Sequence, residues 1–415
     1  MGCGAGKQPP VILAETQSGA VEVSGSHFKE LDAKVNKLVS DKAIAGAVIL
    51  IERGDKILHN TAYGWQDVED KLPMEKDCIF RIYSMTKAVT SVAAMILVDD
   101  NKLSVDDPVE KYYPQFRDLK VLKGGKEVPT EKKMTIKMLL THTSGLTYGF
   151  FGDTEVDKRY KKNKVLGAPT NKDMMDKLSK IPLLHQPGTT YQYSLGVDVL
   201  GAVIEQITGR TLGEFCQERI FEPLGMKDAG YFLKEEKRNR FVSNYGENQT
   251  LKDKWNGGKE IYFNAKVKHS GGGGLACTAR DYMNFCTMLL NKGAGQGSKR
   301  ILKEKTHAEM IKNQLPAGVK YETQQGFGYG LTLQLDLNWG WKGVPGDYGF
   351  NGAASTSFII SPKYNMKMVM LTQRQPYANF VTQACREVVY GQLINQAKAA
   401  KGKGKGGKKG GCDKE

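Results

Sequence analysis

Seven cysteines, at 3, 78, 216, 277, 286, 385 and 412, include no Cys-x-x-Cys pair and no spacing that would seat zinc. Neither a disulfide framework nor a metal site is expected, and the thiols read as reduced. Apolar runs are short as well. The longest near-apolar stretch, Ala88 to Val98, is broken by Thr90 and Ser91 and falls below the ~20 residues that cross a bilayer. The start, Met1 to Lys7, lacks the apolar region of a secretory signal, so a cytoplasmic location is expected. Common catalytic signatures are missing too. There is no Gly-x-Ser-x-Gly elbow, no His-Glu-x-x-His, no phosphate loop ending in Gly-Lys-Ser/Thr, and no Gly-x-Gly-x-x-Gly opening a helix after a strand. No cofactor is expected.

What is present fits a globular chain. Hydrophobic residues make up 40% and charged residues 25% of the 415, which excludes disorder as the main state. At ~150 residues per domain the length allows two to three domains, or one large domain with an inserted subdomain. The net charge of +15 suggests an anionic partner, and residues 398–415 carry seven Lys against two acids. A Lys/Gly repeat cannot bury apolar surface, so 398–415 is expected to be a disordered tail. At the other end, Gly2 resembles an N-myristoylation site, although Gly6 stands where Ser or Thr is usual, and Cys3 offers a palmitoylation site. Two acyl chains and a polybasic tail would hold the protein on an anionic inner leaflet. Nucleic acid is not an expected partner, because no aromatic residue interleaves with the tail lysines.

The expected organisation is a flexible segment over 1–25, a domain over 26–397 and the tail. Behind Ser26 as an N-cap, Phe28, Leu31, Val35 and Leu38 share one helical face. Ala47–Ile51 and Lys56–Leu58 read as a hairpin, as do Ser357–Ile360 and Met366–Leu371, followed by a closing helix from Phe380. Early and late segments are expected to share one sheet. Residues of about 100–260, rich in Lys and short helical patterns, are assigned to a helical insertion.

Ser-x-x-Lys occurs twice, at Ser26–Lys29 and Ser84–Lys87. Ser26 opens an exposed amphipathic helix and reads as a cap. Ser84 precedes a segment apolar nearly all round, so its helix should run through the core. Residues three apart share a helical face, which lets the Lys87 amine reach the Ser84 hydroxyl. Burial and the positive helix end both disfavour an ammonium there, which suits Lys87 to accept a proton.

Phe80-Arg-Ile-Tyr-Ser-Met-Thr-Lys87 resembles the nucleophile motif of the serine β-lactamase and penicillin-binding protein superfamily, especially the branch of class C β-lactamases, DD-peptidases and esterases. Leu103–Val109, Leu140-Thr-His-Thr-Ser-Gly-Leu146, Phe221–Met226 and Gly272–Asp281 are similar to that family's other blocks, in order. The resemblance implies an α/β (α+β) fold: a three-layer sandwich with an antiparallel sheet flanked by helices, plus a mostly helical subdomain. It matches the family's Tyr-x-Asn motif to Tyr193-Ser194-Leu195, making Tyr193 a partner of Lys87 in the base, with Leu in place of the amide that would bind a substrate. The third motif falls on Phe350-Asn351-Gly352, which lacks a cation for a substrate carboxylate, and the oxyanion hole on the Ser84 and Ala353 amides. Gly352 would let substrate approach the strand. His142, Asp198 and Asp281 are read as structural. The implied function is a serine hydrolase acting through an acyl-enzyme on carboxylic esters. Transacylase, D-amino-acid peptidase or β-lactamase activity at the same site, and a non-catalytic membrane-docked scaffold, are the alternatives.

Overall fold

The computed structural model describes residues 25–405 apart from 254, 322–324 and 336–342. Gly2 and Cys3 lie outside the described residues. An eight-stranded antiparallel sheet is the centre of the molecule. Its strands run in spatial order Leu72–Pro73, Lys56–Asp67, Gly46–Arg53, Met366–Thr372, Thr356–Ser361, Tyr348–Gly352, Thr332–Gln334 and Gln325–Phe327. The two hairpins expected from sequence are therefore neighbours, with Ala47 opposite Thr372 and Ile51 opposite Met368.

The central strands are buried on both faces, which explains why they read as continuous apolar runs rather than alternating ones. Ala47, Ile49 and Ile51 point to one side with Met366, Met368 and Met370. There they meet Leu31 and Val35 of the helix Gly25–Ser40 and Val388, Val389 and Leu393 of the last helix, Phe380–Lys405. Val48, Leu50, Val369 and Leu371 point to the other side, into the larger core that holds the helices Thr86–Asp99 and Ala279–Leu290. Three layers result.

The last helix corrects the boundary read at 398, since its backbone continues to Lys405. Ala and Lys are good helix formers, and adding residues to an anchored helix avoids the cost of nucleation. Residues 406–415 lie outside the described ones. Between the early and late strands, residues of about 100–260 hold the helices Glu155–Lys162, Asn171–Leu178 and Gly196–Thr208, and also a small hairpin, Lys120–Lys123 with Lys126–Pro129. Gly196–Thr208 ends on Gly209 in the left-handed region, at φ +67°. Among the described residues no helix is long and apolar enough to cross a membrane. The five described cysteines are free and buried.

Candidate active site

Residues Thr86 to Leu97 of the core helix are all buried. Just ahead of it, Tyr83–Met85 forms a single 3₁₀ turn that carries Ser84, so the serine stands before the helix rather than in its first turn. Tyr83 is held at φ +45°, a conformation that strains any side chain but glycine. Its hydroxyl accepts a hydrogen bond from Asn244 Nδ2 at 3.3 Å. Upstream, Phe80–Arg81 pairs antiparallel with Ala276–Cys277, and the Ile82 amide donates to Leu275 at 3.1 Å. This pairing brings the glycine-rich loop 271–274 alongside Ser84.

The three residues singled out by sequence come together. Lys87 Nζ lies 3.2 Å from Ser84 Oγ and donates at 2.6 Å to the Gly272 carbonyl. The Tyr193 hydroxyl, over a hundred residues downstream, lies 2.6 Å from the same Ser84 Oγ. Lys87 is wholly buried and makes no ion pair among the described residues, while its amine sits 4.8 Å from the Tyr193 ring centre.

Around this cluster lies a cavity of about 570 Å³, lined by Ser84, Phe350, Asn351, Gly352 and Ala353 as well as by aromatic residues that the sequence did not single out. Tyr148 packs its ring 5.2 Å from that of Tyr193, and its hydroxyl bonds with it. Burial, then the proximity of Tyr193 and Asp198, pushes the Tyr148 phenol well above its ordinary range. Tyr148 stands two residues beyond the block Leu140–Leu146, and that adjacency was its only signal.

His142 makes no hydrogen bond to Ser84 among the described contacts. It is fully buried, its Nδ1 accepts from the Ser194 amide at 3.3 Å, and its ring tilts against that of Tyr193 at 4.8 Å. Burial, and then the charge of Lys87, holds it well below the usual histidine range, so it stays neutral. Asp198 is closer to the chemistry than a scaffold residue read from sequence. It borders the cavity, and its Oδ1 accepts from Ser270 Oγ at 2.5 Å and from the Gly272 amide at 3.2 Å. Asp281 does cap a helix, in a reciprocal box with Thr278.

One expected substrate-binding position, Leu195, is corrected. Leu195 is fully buried in the larger core and does not line the cavity, because the turn into Gly196–Thr208 directs it inward. Gly352 borders the cavity, and its lack of a side chain also serves the protein's own packing. A Cβ there would stand 2.3 Å from the Ile82 carbonyl and 2.1 Å from Thr356 Oγ1.

A helix-flanked antiparallel sheet with the Ser84 turn packed against its strand Tyr348–Gly352 is the β-lactamase/transpeptidase-like fold. The chain belongs to the beta-lactamase family, whose model matches residues 31–388. Esterase EstB of Burkholderia gladioli is 30% identical over 393 residues, covering 87% of this chain and 94% of EstB. Lovastatin esterase of Penicillium rubens is 28% identical over 371 residues, covering 81% and 90%. The solved structure of EstCE1, described as a hydrolase with promiscuous acyltransferase activity, matches with a TM-score of 0.77 at 25% identity, over 88% of this chain and 98% of that one.

Proposed function

We propose that this protein is a serine carboxylesterase in which Ser84 is the nucleophile and Lys87 and Tyr193 act together as its base. The observation that carries the reading is the meeting of Tyr193 and Lys87 on one serine hydroxyl, at 2.6 and 3.2 Å, at the wall of an aromatic cavity. Kinship with EstB and lovastatin esterase supports the ester as substrate.

In the proposed reaction Ser84 Oγ attacks the ester carbonyl carbon as its proton passes to the Lys87–Tyr193 pair. The carbonyl oxygen, now carrying the charge, is held by the Ser84 and Ala353 amides, donors typically worth about 3 kcal/mol each. The C–O bond to the alcohol then breaks, and the pair returns the proton to the departing oxygen. Water repeats the sequence on the acyl-serine and releases the acid. An alcohol taking the place of water would make the same site a transacylase, the reading that the second activity named for EstCE1 favours.

Incubation with a fluorophosphonate probe and with p-nitrophenyl acetate tests this. Labelling at Ser84 and a burst of p-nitrophenol, both lost in Ser84→Ala, are expected. A wild-type protein that takes up no probe and turns over no ester overturns the proposal and favours a scaffold role.

A further inference from the structure

Among the described large apolar residues, Phe151 and Phe150 are the two most exposed, at 65% and 54%. They are not loose. Their rings meet at a tilt of 49° with centres 4.3 Å apart, the Phe150 ring lies 5.2 Å from that of Tyr148, and the Phe151 ring lies 5.9 Å from that of Tyr193. An unbroken aromatic surface thus runs from solvent to the phenol that touches Ser84.

The segment is pinned at both ends. Gly149 sits at φ +80° with no room for a Cβ, which would stand 2.6 Å from that of Tyr160. At Gly152 a Cβ would stand 2.4 Å from Asp157 Oδ2. Asp157, buried, accepts from Thr147 Oγ1 at 2.7 Å and from Thr154 Oγ1 at 2.7 Å, tying the residues on either side of the aromatic pair to one carboxylate. Two phenyl rings left more than half exposed bury little of their own surface in the fold, and exposed apolar surface beside a cavity marks a binding face.

The chemistry of the cavity narrows what binds. Among its described lining residues Asp198 alone is charged, and the Ser270 hydroxyl and the Gly272 amide already occupy it. No lining cation is offered to a substrate carboxylate. Phe350, Leu166 and Tyr377 continue the apolar wall.

We propose that Phe150 and Phe151 are specificity-determining residues that receive an extended apolar arm of an uncharged ester. The inference rests on the ester hydrolase reading above and adds the class of substrate. Each methylene laid on such a surface and fully desolvated would improve transition-state binding by up to about fourfold, and an arm lying on half-wet rings gains part of that.

The test uses the full chain with p-nitrophenyl esters from acetate to octanoate, and with alkyl acetates lengthened on the alcohol side. For the wild type, kcat/KM is expected to rise at least tenfold along one of the two series. In Phe150→Ala/Phe151→Ala the octanoate-to-acetate ratio, or its alcohol-side counterpart, is expected to fall at least fivefold. If the double variant does not fold, Phe151→Gln alone, at the more exposed position, is expected to lower the same ratio. A flat profile in the wild type, or equal losses on short and long esters, overturns the proposal while leaving the hydrolase reading intact. Absence of both Ser84 labelling and any ester turnover sinks the parent reading and this one with it.

Discussion

Asp198 holds the very residue on which Lys87 rests. Its Oδ1 accepts from the Gly272 amide at 3.2 Å, and the carbonyl of the same glycine accepts from Lys87 Nζ at 2.6 Å. The carboxylate therefore acts on the amine through the loop and not by direct contact. Asp198→Ala would leave the Gly272 amide and the Ser270 hydroxyl without their buried acceptor, at a cost of about 1–3 kcal/mol. A loop displaced by about an ångström lowers turnover by up to ~100-fold. The expected signature is a fall in kcat with KM nearly unchanged, partly rescued by Asp198→Asn, which keeps one acceptor oxygen. Steady-state kinetics and urea unfolding on the same preparations check it. A change in KM alone would place Asp198 against substrate instead.

Gly352 makes a second, steric demand. Its missing Cβ leaves room for the Ile82 carbonyl, two residues ahead of Ser84, and for Thr356 Oγ1. Gly352→Ala has no flexible chain end to displace on the Ile82 side, only backbone. Overpacking of this kind costs about 1–3 kcal/mol, and here the strain falls on the turn that carries Ser84, the proposed nucleophile. The rate of fluorophosphonate labelling should drop by ten times or more in a protein that still melts cooperatively. Labelling at the wild-type rate would mean that this packing does not position Ser84.

How much of this was readable beforehand depends on whether a role is local. Ser84, in the turn ahead of a helix that is apolar nearly all round, stands three residues before Lys87 in that helix's first turn, so their meeting follows from helical geometry. The strands around Ala47 and Met368 announce themselves because burial on both faces leaves uninterrupted runs. Tyr193 was found through the resemblance, since no periodicity connects it to a serine over a hundred residues away. Tyr148, Phe150 and Phe151 carry no pattern of their own: an aromatic residue in a loop becomes a cavity wall only once the fold has brought that loop to Ser84. Leu195 shows the opposite limit. A motif position was right for its neighbour Tyr193, yet the turn into the next helix set the direction of this side chain.

Acid should weaken the fold through histidines buried as neutral rings. Burial lowers His307 from 6.5 to about 4, and it drives His142 in the same direction. In the unfolded chain a histidine takes its proton near 6.5, so stability is fully present above that pH and is lost as pH falls toward the folded value. For His307 the loss amounts to about 3 kcal/mol by pH ~4. Asp281 works against it: burial raises its carboxyl from 3.8 to about 6, so the folded protein gains a proton first and is stabilised in the same window. Comparison with His307→Gln separates the two. Urea unfolding at several pH values between 7.5 and 4.5 should show a shallower decline in the variant. Parallel declines would remove His307 from the account.

The family pattern at position 195 supplies the last test. An amide there belongs to sites that bind β-lactams and peptides, and one could suppose that Leu195→Asn would restore such recognition. In this structure Leu195 is fully buried, packed in the larger core at the start of Gly196–Thr208, and absent from the cavity wall. An asparagine would place its amide among apolar neighbours, and an unpaired buried amide costs about 2–4 kcal/mol. The variant should melt several degrees lower and gain no nitrocefin hydrolysis, because the obstacle lies in where the side chain points and not in its chemistry. Wild-type stability together with new β-lactam turnover would show that residue 195 faces substrate, and would return the choice of ester over amide to that single position.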